Sequence, residues 1–209
     1  MLGFLKGAGR ESPQSLPLFP LRTVLFPGGV LPLKVFEARY IDMTKACLAE
    51  DRPFGVCLIT RGEEVARPGG EAPHFAPIGT LARITNFDMP QLGILHLATL
   101  GLDRFQVQSH RLEANGLVQA TVAPIAPEPH VALPPDYEGL ARLLELIASR
   151  IGPENFPAEH AYDDASWVGY RLAELLPLPL HIKQSMLEIN DALVRLAVLQ
   201  QFLQQQGVI

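Results

Sequence analysis

Between Leu16 and Leu33, four prolines at 17, 20, 27 and 32 punctuate a run of large apolar residues. The run reads Leu16-Pro17-Leu18-Phe19-Pro20-Leu21, then Val24-Leu25-Phe26-Pro27, then Val30-Leu31-Pro32-Leu33. Each proline fixes its own φ and lacks an N–H, so none fits a helix interior or the middle of a central strand. The leucines, valines and phenylalanines between them still gain by leaving water. Short extended pieces that follow sheet edges and cross over a core satisfy both demands.

At 209 residues the chain is long enough for one large domain or two small ones. A second cluster, five prolines from Pro124 to Pro135, forms an extended connector that divides it. The expected organisation is a flexible stretch over 1–13, a β-rich barrel over 14–123, the connector over 124–135 and a helical bundle over 136–209. Ahead of the connector the signals are mainly those of strands. Phe54–Thr60 is short, apolar and flanked by turn residues. Gly79–Phe87 alternates, and Leu92–Leu100 follows a loop at Asp88-Met89-Pro90-Gln91, which predicts a hairpin. Arg104–Ser109 and Leu117–Val122 form a further pair about the Asn115-Gly116 turn. One helix interrupts between Glu37 and Glu50, with Tyr40, Met43, Ala46 and Cys47 along one face. Several short strands with a single helix predict a closed or partly closed barrel.

Beyond the connector the apolar period becomes helical. Leu140, Leu143, Leu144, Ile147 and Ile151 form one stripe, ended by Gly152-Pro153. Asp163 or Asp164 is placed to cap a second helix, whose Trp167, Val168, Leu172, Leu175 and Leu176 face inward before Pro177. A short helix spans His181 to Leu187. Asn190 is placed to cap the last one, with Leu193, Leu196, Ala197, Leu199 and Leu203 on its inner face. The fold class is α+β, a β pseudobarrel with one helix followed by a helical bundle packed on it.

Hydrophobic content of 48% with 19% charged residues describes a folded globular chain. The formal net charge of −5 sits wholly in residues 131–209, where ten Asp/Glu face five Lys/Arg; residues 1–130 carry twelve of each. Neither half has the cation surplus that nucleic-acid phosphates demand, so no nucleic-acid partner is expected. No apolar run reaches the roughly 20 residues of a membrane helix. Met1–Arg10 lacks the charged lead and long apolar core of a secretory signal. A cytoplasmic protein without membrane association is the expectation, and Cys47 and Cys57 read as buried reduced thiols.

Chemistry-bearing patterns are missing at the level of spacing. A phosphate cradle ends in Gly-Lys-Ser/Thr, and neither Gly28-Gly29 nor Gly69-Gly70 leads into one. None of the six serines sits in a Gly-x-Ser-x-Gly elbow, and Lys183 and Ser185, two residues apart, diverge around a helix. The six histidines form no metal-binding pair. His160 with Asp163 and Asp164 comes nearest, and reads better as a loop entering a helix cap. No catalytic, cofactor or metal residue is expected. Glu37, Arg39 and Arg104, beside Phe36, Tyr40 and Phe105, are candidates for an ion pair that fastens the helix to a strand.

Five segments in order resemble the N-terminal substrate-binding domain of the Lon protease family. They are the Leu16–Leu33 proline pattern, Val35-Phe36-Glu37-Ala38-Arg39-Tyr40, Ile78-Gly79-Thr80-Leu81-Ala82-Arg83-Ile84 and Gly101-Leu102-Asp103-Arg104-Phe105-Gln106-Val107. The fifth is Leu175-Leu176-Pro177 with Lys183-Gln184-Ser185-Met186-Leu187-Glu188 and Arg195-Leu196. The resemblance implies a PUA-like pseudobarrel followed by a helical bundle, and a non-enzymatic module that contacts unfolded or tagged polypeptides. Lon proteases continue into an ATPase module and a Ser/Lys peptidase domain. Neither motif occurs in these 209 residues, so a free-standing relative of the recognition domain is expected.

The function this implies is recognition of unfolded or extended polypeptides, as an adaptor for proteolysis or quality control with a protease or chaperone as partner. The candidate contacts are Phe87, Met89, Pro90 and Leu92, because a loop of that apolar content is unusual unless packed or used for binding. Two other classes compete. One is a small-molecule pocket between barrel and bundle, walled by Trp167, Tyr170 or Tyr40. The other is RNA binding, which PUA-like barrels can host and which the charge opposes.

Overall fold

The computed structural model describes residues 14–64, 73–151 and 156–208. The stretch 1–13, Gly69-Gly70 and Gly152-Pro153 lie outside them. In chain order the elements are β1 (Gln14–Leu21), β2 (Val30–Val35), α1 (Ala38–Glu50), β3 (Phe54–Arg61), β4 (His74–Phe75), β5 (Ile78–Gln91), β6 (Ile94–Leu112) and β7 (Val118–Pro124). Then come α2 (Glu138–Ile151), α3 (Ala165–Leu175), α4 (Leu180–Glu188) and α5 (Ala192–Gln205). The strands neighbour one another in the order β1-β7-β6-β5-β3, and β1 pairs β3 in parallel, which closes the ring. β2 and β4 are appended to β6 and β3. The architecture is the expected β barrel with one helix, followed by helices. No helix among the described residues is long and apolar enough to cross a membrane.

The prolines of the opening segment sit where the pairing allows them. β1 is antiparallel to β7 from Gln14 to Leu18 and parallel to β3 from Leu18 to Leu21. Pro17 therefore has a partner strand only on the β7 side, and Pro20 only on the β3 side. Each of these prolines thus sits where β1 is laddered on one side only among the described residues, the kind of position a residue without an N–H can occupy. Pro32 lies in β2, which pairs only with β6 among the described residues.

Two sequence readings need correction here. Leu92–Leu100 and Arg104–Ser109 are not separate strands but parts of one, the 19-residue β6. Gly101 is no break. The turn at Phe26–Gly29 lies so close that a Cβ on Gly101 would stand 2.2 Å from the Phe26 carbonyl oxygen. Gly28 N–H donates to Gly101 O at 2.8 Å, and Gly101 N–H donates to Gly29 O at 2.8 Å. Glycine here serves close backbone approach.

The second correction concerns α5. Its cap is Asp191, whose carboxylate accepts from the N–H groups of Leu193 and Val194 at 2.8 and 3.1 Å, and Asn190 plays no part in it. The buried face is Ala192, Arg195, Leu196, Leu199 and Leu203, which leaves Leu193 and Ala197 exposed. The helix is rotated relative to the leucine stripe because an arginine occupies a core position. α3 is capped by Asp164, which accepts from Trp167 N–H at 2.6 Å.

Val24, Phe26, Leu58 and Ala76 from the barrel share one apolar cluster with Leu140, Leu144, Val168, Leu172, Leu196 and Leu199 from the helices. A second cluster lies under α1, where Tyr40, Met43 and Cys47 meet Phe19, Phe54, Leu95 and Leu97.

Candidate functional site

The four residues singled out for binding lie at the far end of the β5–β6 hairpin. Asp88-Met89-Pro90-Gln91, expected as its loop, is the end of β5, and the turn is Leu92-Gly93. Gln91 pairs with Ile94 across it, and Gly93 adopts φ 83°, the left-handed region that glycine enters freely. The ladder is irregular between Asp88 and Gln91, which is where Pro90, lacking an N–H, is accommodated. Phe87 stands opposite Leu97, and Leu33 of β2 stands opposite Leu97 on the other side. Residues directly opposite share a face, so Phe87 extends the apolar face of Leu33 and Leu97 beyond the core.

This end of the sheet is open to solvent. Leu92 is 93% exposed, Phe87 55% and Met89 46%, and Phe36, which leaves β2 at the level of Ile94, is 52% exposed. Phe36 is thus a further exposed apolar residue at this end of the sheet, one residue beyond β2. Next to it a groove of ≈ 170 Å³ is lined by Phe19, Leu21, Leu33, Val35 and Tyr40.

The set Glu37, Arg39 and Arg104 is divided by the structure. Arg39 Nη2 meets Glu37 Oε2 at 2.9 Å, its Nη1 donates to Gly116 O at 2.8 Å, and its guanidinium lies 4.5 Å from the Tyr40 ring centroid. This ties the start of α1 to the β6–β7 turn. Arg104 lies elsewhere. It donates to the carbonyls of Leu187 and Ile189 at 2.7 and 3.0 Å, at the end of α4, and stands 3.5 Å from Glu128.

Glu128, in the proline connector, is the hub of the barrel–bundle junction. Its Oε2 accepts from Arg195 Nη1 at 3.0 Å and Ser166 Oγ at 2.7 Å, and its Oε1 accepts from Tyr170 OH at 2.6 Å and from Arg195 Nη2. The side chains of Glu128, Arg104 and Arg195 are 5%, 3% and 0% exposed. Burial by itself raises the Glu128 carboxyl. The hydrogen bonds from Arg195, Ser166 and Tyr170, with the charge of Arg195, outweigh it and hold the group below its ordinary value. Burial pushes the Tyr170 hydroxyl up, and its bond to Glu128 adds to this, so it stays a neutral donor. A third buried arginine, Arg171, donates to Pro27 O at 2.8 Å and pairs with Glu174 at 3.1 Å. Sequence reading missed Glu128 because its hydrogen-bond partners Ser166, Tyr170 and Arg195 lie 38 to 67 residues away.

Between this hub and the solvent is a cleft of ≈ 320 Å³ to which Trp167 and Tyr170 contribute walls. Tyr40 is not there; it stacks on Phe19 at 3.9 Å under α1. Among the described residues no group of three or more His, Cys, Asp or Glu is placed to hold a metal ion. His160 packs its ring against Phe156, Tyr162 and Trp167. Both cysteines are free and buried, and burial pushes the Cys57 thiol up to about 12. Lys183 Nζ donates to Glu174 O at 2.6 Å and Ser185 Oγ to His181 O at 3.0 Å, so the two side chains serve separate structural bonds.

Comparison with known proteins agrees with this architecture. The ATP-dependent protease La (LON) substrate-binding domain family matches residues 15–205. A crystal structure of a Lon N-terminal domain protein from Xanthomonas campestris is 39% identical, with a TM-score of 0.74 over 90% of this chain and 98% of that one. Lon protease 2 of Myxococcus xanthus is 40% identical over 98 residues, which are 46% of this chain and 12% of that protein. Protein cereblon of Danio rerio is 32% identical over 131 residues, 59% of this chain and 29% of that protein. The similarity thus spans a small part of these longer relatives.

Proposed function

The chain belongs to the LON substrate-binding domain family, and on that premise we propose that it recognises unfolded or extended polypeptides and passes them to a protease or chaperone. The observation that carries this reading is the solvent-exposed apolar rim of Phe87, Met89 and Leu92 at the tip of the β5–β6 hairpin. Unfolded chains differ from folded ones chiefly in exposing large apolar side chains. A rim of hydrocarbon beside a shallow groove therefore selects by folding state and little by sequence. Each such side chain gains about 1.5–3 kcal/mol when a partner covers it fully. Pro90 and the Leu92-Gly93 turn hold the rim on a paired ribbon, which limits the ordering cost of binding.

The test is fluorescence anisotropy with reduced, carboxymethylated α-lactalbumin as a permanently unfolded client. The double variant Met89→Ser/Leu92→Ser is expected to bind at least about tenfold more weakly than the parent. Equal affinity would remove this rim from the binding surface.

A further inference from the structure

The cleft at the barrel–bundle junction has no part in that reading. Its volume of ≈ 320 Å³ lies at the small end of ligand sites, so it suits a compact molecule or a single side chain. Its apolar walls come from Pro27, Ile125, Pro127 and the rings of Trp167 and Tyr170. Three carboxylates line it, those of Asp103, Glu128 and Asp164.

These three acids differ in what they already hold. Glu128 is compensated by Arg104 and Arg195, whose guanidinium groups turn inward onto the Leu187 and Ile189 carbonyls. Asp164 gives one oxygen to the Trp167 N–H and the other to His130 Nδ1 at the rim. Asp103 has no ion-pair or hydrogen-bond partner among the described residues. Arg104 and His130 also line the cleft, but each is already paired with a carboxylate, Glu128 and Asp164, so an anion entering it would meet Asp103 with no unpaired cation beside it. A neutral apolar molecule would fill the walls and leave Asp103 unused.

We propose that this cleft binds a small organic cation, an alkylamine or alkylguanidinium. Its charge meets Asp103 at the mouth, and its stem packs between the prolines and Trp167. The indole face adds the cation–π attraction for which tryptophan is the strongest ring. The same chemistry is carried by a free diamine and by a lysine or arginine side chain of a polypeptide.

Trp167 is the single tryptophan of the chain, so intrinsic fluorescence reports on this cleft directly. The full chain is titrated at constant ionic strength with 1,4-diaminobutane, agmatine and the peptide acetyl-Ala-Ala-Lys-Ala-Ala-amide. Butyrate and n-butanol serve as charge and shape controls. A saturable change with a cation, and none with the controls, is expected. Asp103→Asn is expected to raise the midpoint about fivefold, the factor one charge pair contributes near water. Asp103 lies outside the buried hub, and an unchanged urea midpoint confirms that the variant is folded. Saturation by the diamine or agmatine identifies a free ligand as source, and saturation by the peptide alone identifies a side chain. No saturable change with any cation, equal midpoints for butyrate, or an Asp103→Asn midpoint equal to the parent's overturns the proposal.

Discussion

The barrel–bundle junction and the tip of the β5–β6 hairpin reverse the usual partition of residues in opposite ways. At the junction three arginines and a glutamate are inside, with hydrogen bonds from guanidinium groups to backbone carbonyls and to Glu128. At the tip phenylalanine, methionine and leucine are outside, with no covering element among the described residues. Buried charge is costly unless its partners are present, so Glu128, met by Arg104 from the barrel and by Arg195, Ser166 and Tyr170 from the helices, favours one arrangement of the two halves. Exposed hydrocarbon carries no directional demand, so it tolerates many partners. The contrast teaches where this molecule spends specificity: inside, on its own shape, and not at the exposed tip that we propose meets its partners.

The comparison breaks most directly at Glu128. Glu128→Ala leaves Arg195 and Arg104 buried without their counter-ion and is expected to cost about 3–5 kcal/mol in urea unfolding. A loss below about 1 kcal/mol would place the cohesion of the junction in apolar packing alone. Next in size is Gly101→Ala, whose Cβ would stand 2.2 Å from the Phe26 carbonyl oxygen. The turn must move, and a loss of about 1–3 kcal/mol is expected by thermal unfolding.

The pH dependence sharpens the same contrast. The Glu128 carboxyl is lowered in the folded state from an ordinary value of 4.5. A depressed folded value means the stabilisation is complete above that ordinary value and is lost as pH falls through the lower, folded one. The parent protein should therefore lose stability below pH 4.5 more steeply than Glu128→Gln, as read from urea midpoints across an acid series. Parallel curves would show that Glu128 does not titrate with unfolding. The smallest effect belongs to the tip. Phe87→Ser/Leu92→Ser should shift stability by no more than about 0.5 kcal/mol while weakening client binding. A larger loss would mean that the tip is packed and not free.

Much of the fold was legible from periodicity and punctuation. The prolines at 17, 20 and 32 forecast strands with free edges, and their pairing shows each on one. The 3.6-residue stripes placed α2 and α3, and Asp164 was among the two caps anticipated for α3. Local chemistry misled where tertiary contact overrode it. Leu92–Leu100 and Arg104–Ser109 read as two strands because the close backbone approach at Gly101, which keeps them in one, leaves no mark on its neighbours in sequence. Asp88-Met89-Pro90-Gln91 resembled a loop because proline and polar residues are turn signals, although an irregular ladder holds them in β5. The α5 stripe holds at Leu196, Leu199 and Leu203 and fails at Leu193 and Ala197, because nothing in the sequence shows that Arg195 is turned inward. The apolar tip was legible in part: Phe87, Met89 and Leu92 stand out by composition, whereas the exposure of Phe36 at the same end of the sheet follows only from the pairing of β2 with β6. The junction was the least legible part, since Arg104 and Arg195 converge on a glutamate set in a stretch that reads as mere connector.

That connector, the clearest seam in the sequence, joins parts that do not come apart. Phe26 and Leu58 share a core with Leu172 and Leu196, while Val131 and Leu133 exchange backbone hydrogen bonds with Ala165 and Asp163. A chain nicked after His130 would keep its shape, the two fragments held as an obligate pair. Glu128 would travel with the first fragment and Arg195 with the second, so each would supply the template on which the other folds.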